Sequence, residues 1–324
     1  MSAVIGRELG SPDSYELQSV ATPTPGKGQV RVSVRAAGIS FVDVLIAAGK
    51  YQRKPPLPYT PGTEFAGVVE AVGEGVSEAR IGERVCATGM GGGFAQAACA
   101  PAASTIAIPE TMAFEEAAVF RVNYATAYHA LVQRAATAAG ENVLVVGAGG
   151  GVGLACIQVA KALGARVVAS ASSAAKRALA SESGADDVLD AAAPDWREQL
   201  RSLTDGRGVD VVVDPVGGAE TERAFRSLAW RGRHLVIGFA AGEIPRLPTN
   251  LALLKGASLH GVDLRQFAEK EPGTAAANLE RLFSLAQSGA LRPRIGASFP
   301  LTAFRDAMHA AADRNQTGRV VLLV

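Results

Sequence analysis

The run Val143-Leu-Val-Val-Gly-Ala-Gly-Gly-Gly-Val-Gly153 has the chemistry of an anion-binding turn. An apolar strand leads into residues with little or no side chain, and Leu154–Ala162 then reads as a helix. Aligned as Ala148-x-Gly150-x-x-Gly153, with Gly149, Gly151 and Val152 between, the spacing follows the dinucleotide fingerprint, with Ala first where Gly is common. Backbone without Cβ atoms can approach a pyrophosphate. The helix N-terminus offers unpaired N–H groups and a partial positive charge. A flexible surface turn would not account for the strand before it, the helix after it or the strands that follow.

The next segment bears on which dinucleotide. Val168-Ala-Ser-Ala-Ser-Ser-Ala-Ala-Lys-Arg177 ends the second strand, with no carboxylate before Glu182. A carboxylate roughly 5 Å from a 2′-phosphate would cost about 3 kcal/mol per charge pair at an effective dielectric of ~20. Its absence permits NADPH. Ser170, Ser172 and Ser173 can donate hydrogen bonds, and Lys176 or Arg177 can pair with the phosphate. The competing reading makes Lys176 and Arg177 a solvated first helical turn.

Other chemistries find less support. His129, His234, His260 and His309 have no metal-ligand spacing, and Cys86, Cys99 and Cys156 form no CxxC pair. No metal site is expected. No Ser-His-Asp or Cys-His arrangement points to a hydrolase. Asp214, at the end of a strand, reads as a turn-fixing residue.

The elements that must position the glycine turn are legible from pattern. Val30–Val34 alternates in polarity, and Phe65–Val72 and Arg84–Ala87 are further strand candidates among Gly/Pro turns. From Asn123 the rhythm changes. Strands at Asn142–Val146, Arg166–Ala169, Asp187–Leu189, Val209–Val213, His234–Ile237 and Ser258–Gly261 are separated by helical segments. That order specifies an α/β fold with a Rossmann doubly wound six-stranded parallel sheet. Helices are expected at Ala275–Ser288 and Ala303–Ala312, the second capped by Thr302, before a last strand at Arg319–Val324. The expected division is a β-rich domain over 1–122 completed by 263–324, and a nucleotide-binding domain over 123–262.

Composition sets the outer limits. The 324 residues suit two domains, and 48% hydrophobic with 19% charged residues indicates a packed protein. A formal net charge of +1 without a basic run gives no reason to expect nucleic acid or an anionic membrane as partner. Met1 to Gly10 reads as neither signal nor transit peptide, and apolar stretches are broken before about 18 residues, so a cytoplasmic protein with free thiols is expected.

With these residues in view, the sequence resembles the quinone oxidoreductase (zeta-crystallin-like) branch of the zinc-free medium-chain dehydrogenase/reductases. The resemblance rests on Gly38-Ile-Ser-Phe-Val-Asp-Val-Leu45, Gly49-Lys-Tyr51 and Pro55-Pro-Leu-Pro-Tyr-Thr-Pro-Gly-Thr-Glu-Phe-Ala-Gly67. Ala71-Val-Gly-Glu-Gly-Val76, Gly82-Glu-Arg-Val85, the glycine turn and Gly318-Arg-Val-Val-Leu322 continue it over nearly the whole chain. It implies a GroES-like catalytic domain beside the Rossmann domain and transfer of hydride from NADPH to a quinone. Reduction of an activated C=C bond in an enone or enoyl-CoA, or a non-catalytic NADPH-binding role, are the alternatives. Where zinc-dependent relatives carry Cys and His ligands, this chain has Ser40 and Thr63. The resemblance places Ser40, Asp43, Tyr51 and Tyr59 on the substrate side. It places Tyr124, Thr126, Gly238, Phe239, Ala240, Val262 and Arg319 around the cofactor. It also implies a homodimer, in which an exposed sixth strand could pair with its mate.

Overall fold

Along the chain, the computed structural model describes every residue except Ala79. It begins with β1 (Ser2–Ile5), β2 (Glu16–Ser19), β3 (Gln29–Ile39), α1 (Phe41–Ala47), β4 (Glu64–Val72), β5 (Arg84–Thr88), β6 (Ala97–Pro101), β7 (Thr105–Ala107) and α2 (Phe114–Ala117). The middle holds α3 (Arg121–Tyr128), β8 (Asn142–Val146), α4 (Gly151–Ala162), β9 (Arg166–Ala171), α5 (Ala174–Glu182), β10 (Asp187–Asp190), α6 (Trp196–Leu203), β11 (Val209–Asp214), α7 (Ala219–Arg226) and β12 (Leu228–Val236). Then come α8 (Asn250–Lys255), β13 (Ser258–Gly261), α9 (Leu264–Lys270), α10 (Pro272–Gln287), β14 (Ile295–Pro300), α11 (Phe304–Ala312) and β15 (Arg319–Leu323).

Contacts divide the chain into two units, Met1–Val122 with Pro293–Val324, and Asn123–Arg292. The expected return of 263–324 to the first unit is therefore corrected: Asp263–Arg292 packs with the second. The reasons are specific. Gln133 and Asn278 exchange side-chain hydrogen bonds at 3.0 and 3.1 Å. Phe267 stacks on His129 with ring centroids 4.0 Å apart. The Gln158 amide donates to the Arg292 carbonyl at 2.9 Å and accepts from the Arg292 N–H at 2.7 Å.

The first unit is built on a sheet ordered β14-β15-β3-β4-β5-β7, with β6 also paired to β3. Alternation along β3 turns Val30, Val32 and Val34 inward against Phe65, Val69 and Val85. From the far end of the chain, β15 pairs antiparallel with β3, setting Val320 opposite Ile39 and Leu322 opposite Ala37.

The second unit carries six parallel strands in the order β10-β9-β8-β11-β12-β13. In order of appearance that is 3-2-1-4-5-6, the arrangement whose direction reverses between β8 and β11. Burial on both faces explains the unbroken apolar run of β8, whose Val143, Leu144, Val145 and Val146 are all buried. Two boundaries differ from the sequence reading. The chain leaves α7 at Arg226 and enters β12 already at Leu228, ahead of the strand expected from His234; Arg231 then takes a positive φ of 62°. Thr302 does not cap α11: it lies in a short 3₁₀ turn, and Ala303 at the cap position gives no side-chain bond.

Candidate functional site: a glycine turn and two sets of buried carboxylates

The turn after β8 sits at the strand-order reversal, where open α/β sheets bind ligands. Ala148 is buried and its N–H reaches the Ser170 carbonyl at 3.0 Å, which ties the turn to β9. Gly147 has φ 64°, a conformation costly for other residues. A Cβ on Gly153 would lie 2.5 Å from the Gly147 oxygen, so only glycine lets α4 start this close to the strand. Gly150, by contrast, is exposed, and a Cβ there would meet only the Gly147 oxygen at 3.6 Å. Gly150 is the N-cap of α4 and gives no side-chain bond to it. The amides of the first turn, including Gly151 and Val152, thus face an open cradle without a side-chain cap. A dinucleotide's diphosphate fits this arrangement: it needs bare backbone and donors, and both are present.

Two further turns close around it. Val216, after β11, lies so near that a Cβ on Gly147 would fall 2.5 Å from its Cγ2. The segment holding Gly238, Phe239 and Ala240, after β12, folds onto that turn. Ala240 N–H donates to the Pro215 oxygen at 3.2 Å, and Ala241 N–H to that of Val216 at 2.9 Å. Asp214 organises the first of these turns from within. Its carboxylate accepts from the N–H groups of Val216 and Gly217, both at 2.9 Å, from the Thr221 hydroxyl at 2.6 Å and from His234 Nε2 at 3.1 Å. Burial alone would raise the Asp214 pKa. The bonds from His234, Thr221 and Gly217 prevail and hold it below the usual carboxylate range. The turn-fixing role read from sequence is what the structure shows. The part played by His234 had no signal, because only the parallel register brings β12 beside β11.

The side chains assigned to the ribose end separate into two groups. Ser172 is exposed, Ser173 caps α5 by accepting from Lys176 N–H at 3.3 Å, and the stem of Lys176 lies beside Gly149. Ser170 is corrected: it is fully buried, and its hydroxyl accepts from the Trp196 indole N–H at 3.0 Å. Arg177 is held by the Ala171 carbonyl and by Asp190. Tyr124, also buried, donates to Gln158 Oε1 at 2.8 Å and so serves packing. Thr126 is buried on α3. Val262 is half-buried, its N–H bonded to the Val236 carbonyl at 3.0 Å.

In the first unit, Asp43 is fully buried and serves as a fastener. Its carboxylate accepts from the Ser40 N–H at 2.8 Å and hydroxyl at 2.6 Å, and from the Thr63 N–H and hydroxyl, each at 2.8 Å. Ser40 is the N-cap of α1 in a reciprocal capping box. A direct catalytic role for Asp43 is thereby corrected to a positioning one, since all four bonds are internal. Tyr59 is corrected as well. It is buried in the core, its backbone paired in both directions with Gly6 at 2.8 Å, and burial followed by the Asp43 charge pushes its phenol pKa up. Tyr51 packs half-buried against the same core.

Glu64 is buried beside Arg319. Its Oε1 accepts from the Val122 N–H at 2.9 Å, and its Oε2 lies 4.0 Å from Arg319 Nη2. Arg319 is 10% exposed at its side chain, and its Nε and Nη2 find no hydrogen-bond acceptor among the described residues. Among those residues no group of three His, Cys, Asp or Glu could hold a metal ion. Burial pushes the Glu64 carboxyl up to about 7, against the opposing pull of Arg319 and the Val122 N–H. The folded carboxyl holds its proton more tightly than the unfolded one. It therefore stabilises the fold at low pH, and that contribution is lost as pH rises from about 4.5 to about 7. Glu64→Gln cannot ionise. Its thermal midpoint should gain on the wild type's between about pH 5 and pH 7.5, and a constant difference across that range would exclude this titration.

Comparison with known proteins agrees with this geometry. Residues 26–110 match the alcohol dehydrogenase GroES-like domain and residues 151–281 the zinc-binding dehydrogenase family. A quinone oxidoreductase-like protein 2 homolog of Nematostella vectensis is 36% identical over 323 residues, covering 99% of this chain and 88% of its own. The quinone oxidoreductase of Rattus norvegicus is 34% identical, with 100% and 98% covered. A mycobacterial protein solved in complex with NADPH superposes with a TM-score of 0.92 at 32% identity, covering 100% of both chains. The chain belongs to the quinone oxidoreductase branch of the zinc-free medium-chain dehydrogenase/reductases.

Proposed function

We propose that this protein is an NADPH-dependent, zinc-independent reductase of quinones. The observation that carries the reading is the uncapped N-terminus of α4 above a backbone cradle at the strand-order reversal. When bound, NADPH supplies a hydride from its nicotinamide ring. The chain's own part is to bind and orient. The amides of Gly149, Gly151 and Val152 hold the diphosphate, and Ser172, Ser173 and Lys176 face the ribose phosphate. Thr126, Gly238, Phe239, Ala240 and Val262 line the nicotinamide end. Arg319 offers its unpaired donors to an anionic or carbonyl group. Ser40 and Tyr51 stand on the acceptor side.

The relatives named as quinone oxidoreductases support the quinone as acceptor. Zinc independence is supported by the residues present: Ser40 and Thr63 spend their hydroxyls on Asp43. The proposed setting is the cytoplasm, consistent with the free thiols Cys86, Cys99 and Cys156. No helix of the described residues is long and apolar enough to cross a membrane. A homodimer is proposed through β13. Among the described residues this strand pairs only with β12, and Leu259 on it and Leu253, Leu254 and Trp230 near it are exposed apolar side chains.

Three measurements test this reading. Gly150→Ala has room in the fold, so it should keep its thermal midpoint but lose at least roughly tenfold in NADPH affinity by calorimetry; unchanged affinity would remove the cradle. NADPH consumption followed with quinones, enones and acryloyl-CoA should be fastest with quinones and unaffected by EDTA. Faster turnover of the alkenes would shift the acceptor class, and no turnover with intact NADPH binding would favour a non-catalytic role. Sedimentation should give a dimer that Leu259→Lys converts to monomer; a wild-type monomer would overturn the β13 interface.

A further inference from the structure

The first turn of α5 carries two cations, and the fold treats them differently. The Lys176 stem runs along the glycine turn, where a Cβ on Gly149 would fall 2.5 Å from its Cγ. Arg177 turns towards the sheet. Its Nη1 donates to the carbonyl of Ala171, the last residue of β9, at 3.1 Å and lies 3.1 Å from Oδ2 of Asp190, the last residue of β10. The parallel register sets Asp190 opposite Ala171. The carboxylate that the end of β9 lacks in sequence is thus supplied in space by the neighbouring strand. Asp190 is itself fixed, because its Oδ1 accepts from the Ala192 N–H at 3.0 Å. The side chains of Arg177 and Asp190 are 23% and 43% exposed, so solvent screens the pair only in part.

We propose that Asp190 is a specificity-determining residue: by pairing with Arg177 it withholds that cation from the 2′-phosphate and lowers the preference for NADPH over NADH. The inference rests on the assignment of this turn to NADPH. Two electrostatic effects act in the same direction. A guanidinium already facing a carboxylate presents little net charge to a phosphate, and the carboxylate repels the phosphate directly. NADH has no 2′-phosphate and feels neither effect. The anchor from Arg177 to the Ala171 carbonyl does not depend on Asp190, so removing the charge leaves the cation at the end of β9.

Asp190→Asn removes the charge and keeps an oxygen for the Ala192 N–H. Dissociation constants for NADPH and NADH should be measured by calorimetry at low and moderate salt, for the wild type, D190N, R177M and the double variant. The expected result is NADPH binding tightened roughly three- to tenfold by D190N with NADH unchanged, the gain shrinking as salt rises. Arg177→Met should weaken NADPH binding more in the D190N background than in the wild type, because only there is the cation released. Equal thermal midpoints of D190N and wild type would show that the selectivity change is not a folding effect. NADPH binding left unchanged or weakened by D190N, or NADPH and NADH shifting together, would overturn the role of Asp190 while leaving the cofactor turn in place. An equal effect of R177M in both backgrounds would overturn the withholding of Arg177. A wild type that binds neither dinucleotide would overturn the cofactor assignment and this inference with it.

Discussion

The close start of α4 against the turn after β8 is the constraint on which the second unit depends. The helix begins where a single added carbon at Gly153 would strike the Gly147 oxygen. Gly150 at the cap position has no side chain to give, although a Cβ would fit there. Several N–H groups at the start of the helix are therefore left to solvent or to a ligand, with the helix dipole behind them. The same tight packing that completes the sheet's first crossover leaves bare the backbone donors proposed here to hold the diphosphate. Structure and function here share one cause.

The turns around this site are held by buried carboxylates rather than by apolar packing alone. Asp214 gathers four donors and ties the turn after β11 to α7 and β12. Asp43 also gathers four, joining the start of α1 to the segment before β4. At Asp214 the hydrogen bonds outweigh the cost of burying the charge. Glu64 has one backbone donor and a guanidinium at 4.0 Å, and burial prevails, which is why its carboxyl is pushed up. The number of close donors separates Asp214, held below the usual carboxylate range, from Glu64, pushed up towards neutral pH.

Much of the fold was legible because it rests on local pattern. The unbroken apolar run of β8, the alternation in β3 and the glycine spacing at 147–153 each follow from burial or close approach, and the structure bears them out. What was not legible depends on register. Ser170 reads as a donor at the end of a strand, yet alternation along β9 turns it inward to Trp196, 26 residues away. Tyr59 sits among prolines like a loop residue, but its backbone pairing with Gly6 draws it into the core. Asp263–Arg292 follows the last parallel strand, and nothing local shows that Asn278 will meet Gln133. The pairs Asp214–His234 and Asp190–Arg177 likewise form only once neighbouring strands are aligned.

This division has a consequence for recognition. The diphosphate cradle is made of backbone, so its chemistry is fixed by where glycine is tolerated and is indifferent to which nicotinamide dinucleotide arrives. Discrimination must come from side chains at the ends of β9 and β10, where few remain to contribute. Ser170 is turned inward and Arg177 is held between two oxygens, which leaves Ser172, Ser173 and Lys176. On the proposed assignment, the backbone holds the shared part of the coenzyme, and its variants are distinguished through a small number of charges, whose pairing is set by strand register rather than by any local sequence motif.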